Sequence, residues 1–380
     1  MDEDKKYMNI AIDLAKKSYG FSSPNPPVGC VIVEYDKHNN NGQIISVGNT
    51  QVAGRPHAEE KAISEMNFKK TKNYSCYTTL EPCNHKNQFQ SCTERIIKSP
   101  IKKVIFSVKD PDKRTKGKGS LELKKAGIEV KSGILKKQTI DLYKGYFFRK
   151  MRMKPFVTLK IASSLDGKIG SKNDSIKWIT NKSLRRLSHL LRFENDAILI
   201  GKNTAINDNP RLTCRISGLE KFSPKIILIS ESLKIPLALE LFKKRNKDDI
   251  IIFTSCNDKN KLDLLKDVST LIKLDGNKFN LTNILKKIAI MGISNLLVEG
   301  GSKINNFFLR NYNVDRLMIF RGNFFIGGNG IDSVNSSIED LKIKKNLFKL
   351  KEIDTFEDNH LEVYENKNLN IFLKKVYEIY

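Results

Sequence analysis

Apolar and polar positions in the first 150 residues switch repeatedly between a helical period and a strand period. Met8, Ile12 and Ala15 recur at helical spacing and predict a helix over 8–19. Ser23-Pro24-Asn25-Pro26-Pro27 stops it, because proline removes backbone donors and restricts the residue before it. Val28–Val33 reads as a short apolar strand, with 43–48 as its hairpin partner across an Asn/Gly-rich turn. A helical run over 58–66, a strand over 75–80 and a helix opening near Cys92 come next. Strand 103–108, helix 119–126 and strand 128–133 complete the series. Such alternation predicts an α/β layer around a central sheet.

A basic stretch, Tyr146 to Pro155, reads as a connector ending in proline and divides the chain into domains over 1–148 and 149–380. Beyond it the alternation resumes. Strand 156–163 leads into a tight turn at Ser164–Lys168. The next helix has Leu184, Leu187 and Leu191 on one face and Thr180 or Asn181 as cap. Strands are predicted at 197–201, 225–230, 250–254, 271–274 and 295–299, and helices at 238–244, 259–266, 281–289 and 302–309. Two final strands, 316–320 and 360–364, suit an antiparallel edge on a mostly parallel sheet, which binds ligands beyond the carboxyl ends of its strands.

Composition narrows the class. A chain of 380 residues exceeds one ordinary core, which agrees with two domains. Apolar and charged fractions of 39% and 29% fit a globular protein. No run of eighteen apolar residues exists, so no membrane partner is expected. The acidic start, Met1-Asp2-Glu3-Asp4, lacks a hydrophobic signal region, and six scattered cysteines make no disulfide framework; both favour the cytoplasm. The net charge of +25 raises nucleic acid as a partner, but the lysine pairs are dispersed along the chain. Compositional drift and a small phosphorylated substrate account for them better, and no nucleic acid is expected.

Chemistry concentrates at His57-Ala58-Glu59, Pro82-Cys83 and Cys92. A histidine and two cysteines supply three zinc ligands and leave a fourth position open, as catalytic zinc sites do. Glu59, two residues from the histidine at the start of a helix, is placed to move protons as the catalytic residue. H-x-E followed by P-C-x-x-C is a signature of zinc deaminases. Here eight residues, not two, separate the cysteines. In the second half, Glu299-Gly300-Gly301-Ser302 follows a strand and opens a helix, an arrangement that suits an anion although Gly-Gly there is more often a plain turn.

The stretches Ser23 to Cys30, Gly54 to Glu59 and Thr79 to His85 followed by Cys92 resemble the deaminase domain of the bifunctional riboflavin-biosynthesis deaminase/reductase family, which has the same eight-residue spacing. The stretches Ala162 to Lys168, Trp178 to Thr180, Leu191-Arg192, Asp196 to Gly201, Thr204 to Arg215 and Val298 to Gly301 resemble its reductase domain. The resemblance implies a cytidine-deaminase-like α/β/α domain followed by a dihydrofolate-reductase-like α/β domain, with one Zn2+ and NADPH as cofactors. It implies deamination of a ribosyl-phosphate-bearing diaminopyrimidinone, then reduction of the ribosyl group to ribityl.

By the same resemblance, Asn25 and His85 contact the first substrate. Ala162, Trp178, Thr204, Asp208, Ser230, Gly301, Ser302, Lys303, Ile304, Asn305, Asn306 and Phe307 meet the dinucleotide. Ile176, Arg192, Leu212, Arg215 and Glu299 hold the second substrate. Two departures stand out: Gln88 occupies the family's basic position between the cysteines, with Lys86 nearby, and Ile176 stands where the family often has serine, with Ser175 beside it. A homo-oligomer is expected. The readings weighed against this one are a reductase carrying a degenerate structural zinc domain and a nucleic-acid-editing zinc deaminase.

Overall fold

The structure is a computed structural model that describes residues 3–36, 39–69, 72–85, 89–173, 176, 178–274, 279–335 and 347–379, with 39–41 as backbone only. Two compact units emerge, one of residues 1–152 with 372–380 and the other of 153–371. The boundary predicted at 148/149 lies within a helix, and the last nine residues, assigned by sequence to the second domain, belong to the first unit.

The first unit runs α1 (Glu3–Lys17), β1 (Gly29–Asp36), β2 (Asn39–Asn49), α2 (Ala58–Ser64), β3 (Asn73–Leu80), α3 (Cys92–Lys98), β4 (Ile101–Val108), α4 (Lys118–Lys125), β5 (Glu129–Ser132), α5 (Lys136–Leu142) and α6 (Lys144–Arg152). Its sheet has the order β2-β1-β3-β4-β5. The hairpin β1/β2 is antiparallel, β1/β3 is antiparallel, and β3, β4 and β5 run parallel. α1 buries Tyr7, Met8, Ala11, Ile12 and Ala15, one helical stripe, against Val31, Val33, Tyr77 and Ile105 of the sheet. The supposed basic connector is α6, and it buries Tyr146, Phe147 and Phe148. Its charged residues interleave with the aromatic ones, and Arg149 is itself buried.

The second unit follows with β6 (Phe156–Ser163), β7 (Lys168–Ser171), α7 (Lys182–Glu194), β8 (Ala197–Gly201), α8 (Lys202–Asp208), β9 (Lys225–Ile229), β10 (Ile250–Thr254), α9 (Lys259–Leu265), β11 (Thr270–Lys273), α10 (Leu281–Ile290), β12 (Asn295–Val298), α11 (Ser302–Arg310), β13 (Arg316–Arg321), β14 (Gly330–Asp332), β15 (Phe348–Phe356) and β16 (Asn359–Asn366). A last helix, α12 (Lys367–Ile379), ends the chain. The sheet order is β11-β10-β9-β8-β12-β6-β13-β16-β15, parallel from β11 through β13 and antiparallel at β16 and β15. Of the two strands predicted as an antiparallel edge, β16 runs antiparallel but β13 is parallel to β6, and β15 forms the outer edge. Asn181 caps α7 by accepting from the Leu184 amide. The helix predicted over 238–244 is only a single 3-10 turn, Glu240–Phe242. Asn209 Oδ1 captures the Glu240 amide at 2.8 Å, while Arg211 and Lys243 hold its carboxylate.

No helix among the described residues is long and apolar enough to cross a membrane.

Candidate active sites

In the first unit, two helix starts and a strand end bring the predicted ligands together. His57 is the N-cap of α2, Cys83 follows β3, and Cys92 is the first residue of α3. Ser91 caps α3 by accepting from the Glu94 amide, which fixes where Cys92 enters the helix. Each residue offers one ligand atom within 4.8 Å of the others. His57 Nδ1 lies 3.3 Å from Cys92 Sγ and 3.6 Å from Cys83 Sγ. A tetrahedral zinc with usual Zn–S and Zn–N lengths puts its N···S edges at about 3.6 Å. The donor set and its spacing therefore fit zinc. Contacts from Cys92 and His57 outweigh burial and pull the Cys83 thiol down, while Cys92 is pushed up, so the pair already favours one thiolate.

Glu59 is almost fully buried beside this cluster. Cys92 Sγ is 3.5 Å from Oε2, and Thr78 donates to Oε1 at 3.2 Å. Burial pushes the Glu59 carboxyl above its usual range, with His57 pulling the other way. Asn25 Nδ2 donates to the Gly54 carbonyl at 2.9 Å and lies 3.5 Å from His57 Nε2. Gly54 has φ +85, and a Cβ there would stand 2.7 Å from Asn25 Nδ2, so only glycine admits this arrangement. His85 Nδ1 rests 3.3 Å from Thr115 Oγ1. Lys86 and Gln88 lie outside the described residues.

Asn25, His57, Glu59, Cys83 and His85 line one cavity of about 230 Å³. Sequence reasoning missed several residues that shape it. Glu81 accepts from the amides of Asp110, Gly117 and Ser120 and from the Ser120 hydroxyl, tying the loop after β4 to the strand end that carries Cys83. Asp110, pushed up to about 7 by burial, accepts from the Tyr146 hydroxyl at 2.8 Å. A carboxylate directly before Pro-Cys at the end of an apolar strand was the available signal for Glu81; nothing in the local pattern pointed to Asp110 or Tyr146.

In the second unit the predicted residues gather at the carboxyl ends of parallel strands. Ala162 is in the last turn of β6, Thr204 follows β8, Ser230 follows β9, and Glu299 to Gly301 follow β12. In the sheet these strands are neighbours, in the order β9-β8-β12-β6. The Gly301 amide donates to Thr204 Oγ1 at 3.2 Å, so the starts of α8 and α11 meet there. Two adjoining helix starts with a Gly-Gly approach suit a pyrophosphate, and these residues fit a dinucleotide. Trp178 is 55% exposed and stacks under the Arg185 guanidinium at 4.7 Å. Asp208 ends the helix that carries Thr204.

Other predicted contacts are turned elsewhere. Ser230 is buried and its hydroxyl accepts from the Leu233 amide. Ile304 and Phe307 pack on the core, and the Ile304 and Asn305 amides are taken by the Gly301 carbonyl. Asn305 Nδ2 donates to Ser333 O and Asn306 Nδ2 to Asn335 O, and the Ser302 hydroxyl donates to Asp332 O. Lys303 lies in the first turn of α11 with Ser302.

Arg192 makes a bidentate pair with Glu299 (Nε to Oε1 3.0 Å, Nη2 to Oε2 2.9 Å), and its Nη1 donates to Thr213 O. Lys160, which sequence reasoning missed, stands 4.0 Å from Glu299 Oε2. Burial alone would raise Glu299; Arg192 and Lys160 instead hold it down to about 2. Arg215 Nε lies 3.2 Å from His189 Nε2 on the more open side. Leu212 is a core residue with φ +52, and its carbonyl accepts from Arg245 Nη2 at 3.1 Å. Ile176 is half-buried, and Ser175 lies outside the described residues.

Comparison with known proteins places both units. The family model for the RibD C-terminal domain matches residues 155–361, and that for the cytidine and deoxycytidylate deaminase zinc-binding region matches 1–108. The riboflavin biosynthesis protein RibD of Aquifex aeolicus is 39% identical, over 90% of this chain and 94% of its own. Its namesake from Bacillus amyloliquefaciens is 34% identical over 86% of each chain. Among solved structures, Acinetobacter baumannii RibD superposes with a TM-score of 0.84 at 26% identity, covering 96% of this chain and 99% of its own. The Thermotoga maritima diaminohydroxyphosphoribosylaminopyrimidine deaminase/5-amino-6-(5-phosphoribosylamino)uracil reductase gives 0.79 at 30% identity, over 96% and 98%. With a zinc-fitting His/Cys/Cys cluster in one unit and a dinucleotide-fitting strand edge in the other, the chain belongs to the RibD family of bifunctional deaminase/reductase enzymes of riboflavin biosynthesis, which use Zn2+ and NADPH.

Proposed function

We propose that the two steps divide between the units residue by residue, the first in the cavity around Glu59 and the second at the strand ends around Glu299 and Gly301. In the first step His57, Cys83 and Cys92 hold zinc. A bound Zn2+ supplies Lewis acidity and makes a hydrolytic nucleophile available near neutral pH. Glu59 takes the proton of that nucleophile and returns it to the departing amino group of the diaminopyrimidinone, which leaves as ammonia. Asn25, held against the His57 ring by Gly54, fixes the pyrimidine, and His85 borders it. The single observation that carries this reading is a buried carboxylate 3.5 Å from a ligand sulfur in the same cavity as Asn25 and His85.

In the second step the starts of α8 and α11 receive the dinucleotide phosphates, with Ala162, Trp178, Thr204 and Asp208 along its length. Ser230 shapes the edge through its turn, and the helix start from Gly301 through Phe307 completes it. NADPH supplies the hydride that converts the ribosyl group to ribityl, so the protein's part is orientation and charge. Arg215 meets the phosphorylated substrate directly. Arg192 holds Glu299 ionised and aimed with Lys160 as a second cation near the same oxygen, Ile176 borders the substrate, and Leu212 anchors the turn that leads to Arg215. Two further readings concern the working form. The exposed Leu350 and Ile353 on the edge strand β15 support a homo-oligomer, and the free thiols suit a cytoplasmic enzyme.

Glu59→Gln tests the first assignment. General acid–base catalysis contributes roughly 10²–10⁴-fold, so ammonia release is expected to fall by at least about 100-fold. Zinc content, measured by metal analysis, should stay unchanged. Unchanged ammonia release removes Glu59 from the reaction.

A further inference from the structure

The cavity in the first unit is lined by groups of two kinds. Around Glu59, Cys83 and Cys92 it is buried and carries the reacting groups. Elsewhere its lining includes Arg114, Lys150 and the carboxylate between them, Asp112. Arg114 grips that carboxylate with Nε (3.1 and 3.3 Å) and Nη2 (2.8 Å), and Lys150 Nζ reaches Asp112 Oδ2 at 2.7 Å. Two cations share one anion, which leaves a surplus positive charge on the wall. The Nε/Nη2 edge of Arg114 is spent on Asp112, while its side chain is 58% exposed and Lys150 is 26% exposed. Asp112 itself is only 8% exposed, so it fixes the two cations from below. A fixed cationic pair with an open outer face fits a phosphate monoester, whose oxygens take charge-assisted bonds from guanidinium and ammonium alike.

We propose that Arg114 and Lys150, held by Asp112, bind the phosphate of the deaminase substrate and make this site selective for the phosphorylated pyrimidine. The proposal rests on the deaminase reading for its substrate. Arg55 also lines the cavity, but it leads directly into His57 and is committed to Glu60 at 3.3 Å and to the Phe89 ring at 4.7 Å. That places it beside the reacting groups, whereas a phosphate carried on the ribose lies far from the carbon that loses its amino group. The loop after β4 thus has two tasks. Its Asp110–Glu81 network positions the strand end that bears Cys83, and its Asp112–Arg114 segment meets the substrate tail.

The test compares Arg114→Ala, Lys150→Met and the double variant with the unaltered chain in ammonia release, using the diaminopyrimidinone ribosyl phosphate and its dephosphorylated riboside. Loss of a charged hydrogen bond predicts a rise in KM of about tenfold for the phosphorylated substrate in each single variant, with kcat and the riboside kinetics little changed. Equal KM changes for both substrates, or none for either, overturn the proposal. A second readout does not need turnover: calorimetric titration with ribose 5-phosphate is expected to lose one site per chain in the double variant. The reductase site retains its own. Retention of every site in the double variant overturns the proposal even if the deaminase reading fails, while absence of ammonia from the unaltered chain refutes only that reading. Zinc content, unchanged in all variants by metal analysis, shows that the first unit has folded.

Discussion

Glu59 and Glu299 are both buried carboxylates, yet their surroundings drive them in opposite directions. Burial dominates at Glu59, which is pushed up, whereas Arg192 and Lys160 overcome burial at Glu299 and hold it at about 2. The second case has a consequence for stability. A carboxyl whose folded pKa lies below its usual value near 4.5 contributes stability that is fully present above that value. The contribution is lost as pH falls toward 2. Arg192→Met leaves Glu299 buried with only Lys160 beside it, so unfolding of the second unit in urea at pH 7 should cost about 3 kcal/mol less. The variant's stability should also lose its steep dependence between about pH 4.5 and 2. A variant with the same acid dependence as the unaltered chain contradicts the pairing. His57, Glu59, Cys83 and Cys92 were legible in the sequence because metal chemistry demands particular residue types in a particular order. Lys160 and Asp110 were not, because a buried charge is recognised by its partners, and those partners lie on other elements.

At the scale of elements, the site depends on how closely α2 lies on the sheet. A Cβ at Gly48 would stand 2.1 Å from Ala58 O, inside the first turn of the helix that His57 caps and that carries Glu59. Gly48→Ala therefore pushes α2 outward. Overpacking of this kind costs about 1–3 kcal/mol, so the variant should show a lowered Tm together with reduced zinc content by metal analysis. Unaltered zinc occupancy would show that the approach is not required. Most elements were readable because one face or one run is apolar, as with Ile198 to Ile200 or the Leu184/Leu191 stripe. The failures have physical causes. The basic residues of α6 masked three buried aromatics in a row, with Phe148 packing on Phe372 of α12 at 4.6 Å. The stretch around Ala238 has helical spacing, but the chain turns extended at Lys243 and left-handed at Lys244, which ends the turn after Phe242. β15 opens with an alternation, Phe348-Lys349-Leu350-Lys351, but a register shift between Leu350 and Glu352 breaks the strand period before Ile353 and Phe356.

At the scale of the molecule, the two steps draw on separate residues and separate cofactors. Chelation should therefore abolish ammonia release while leaving NADPH oxidation on the deaminated substrate intact, which a coupled and an uncoupled assay distinguish. The +25 charge does not alter this division: its lysines are spread over both units, and some pair with an acid one turn away, as Lys98 does with Glu94 and Lys266 with Asp263. The order of the two reactions is the central claim, and Glu59→Gln with alternate substrates tests it most directly. Given the diaminopyrimidinone ribosyl phosphate, the unaltered enzyme should release ammonia without NADPH and consume NADPH only afterwards. The variant should do neither, yet oxidise NADPH at the normal rate when supplied with the deaminated product. NADPH consumption by Glu59→Gln on the undeaminated substrate would contradict the account.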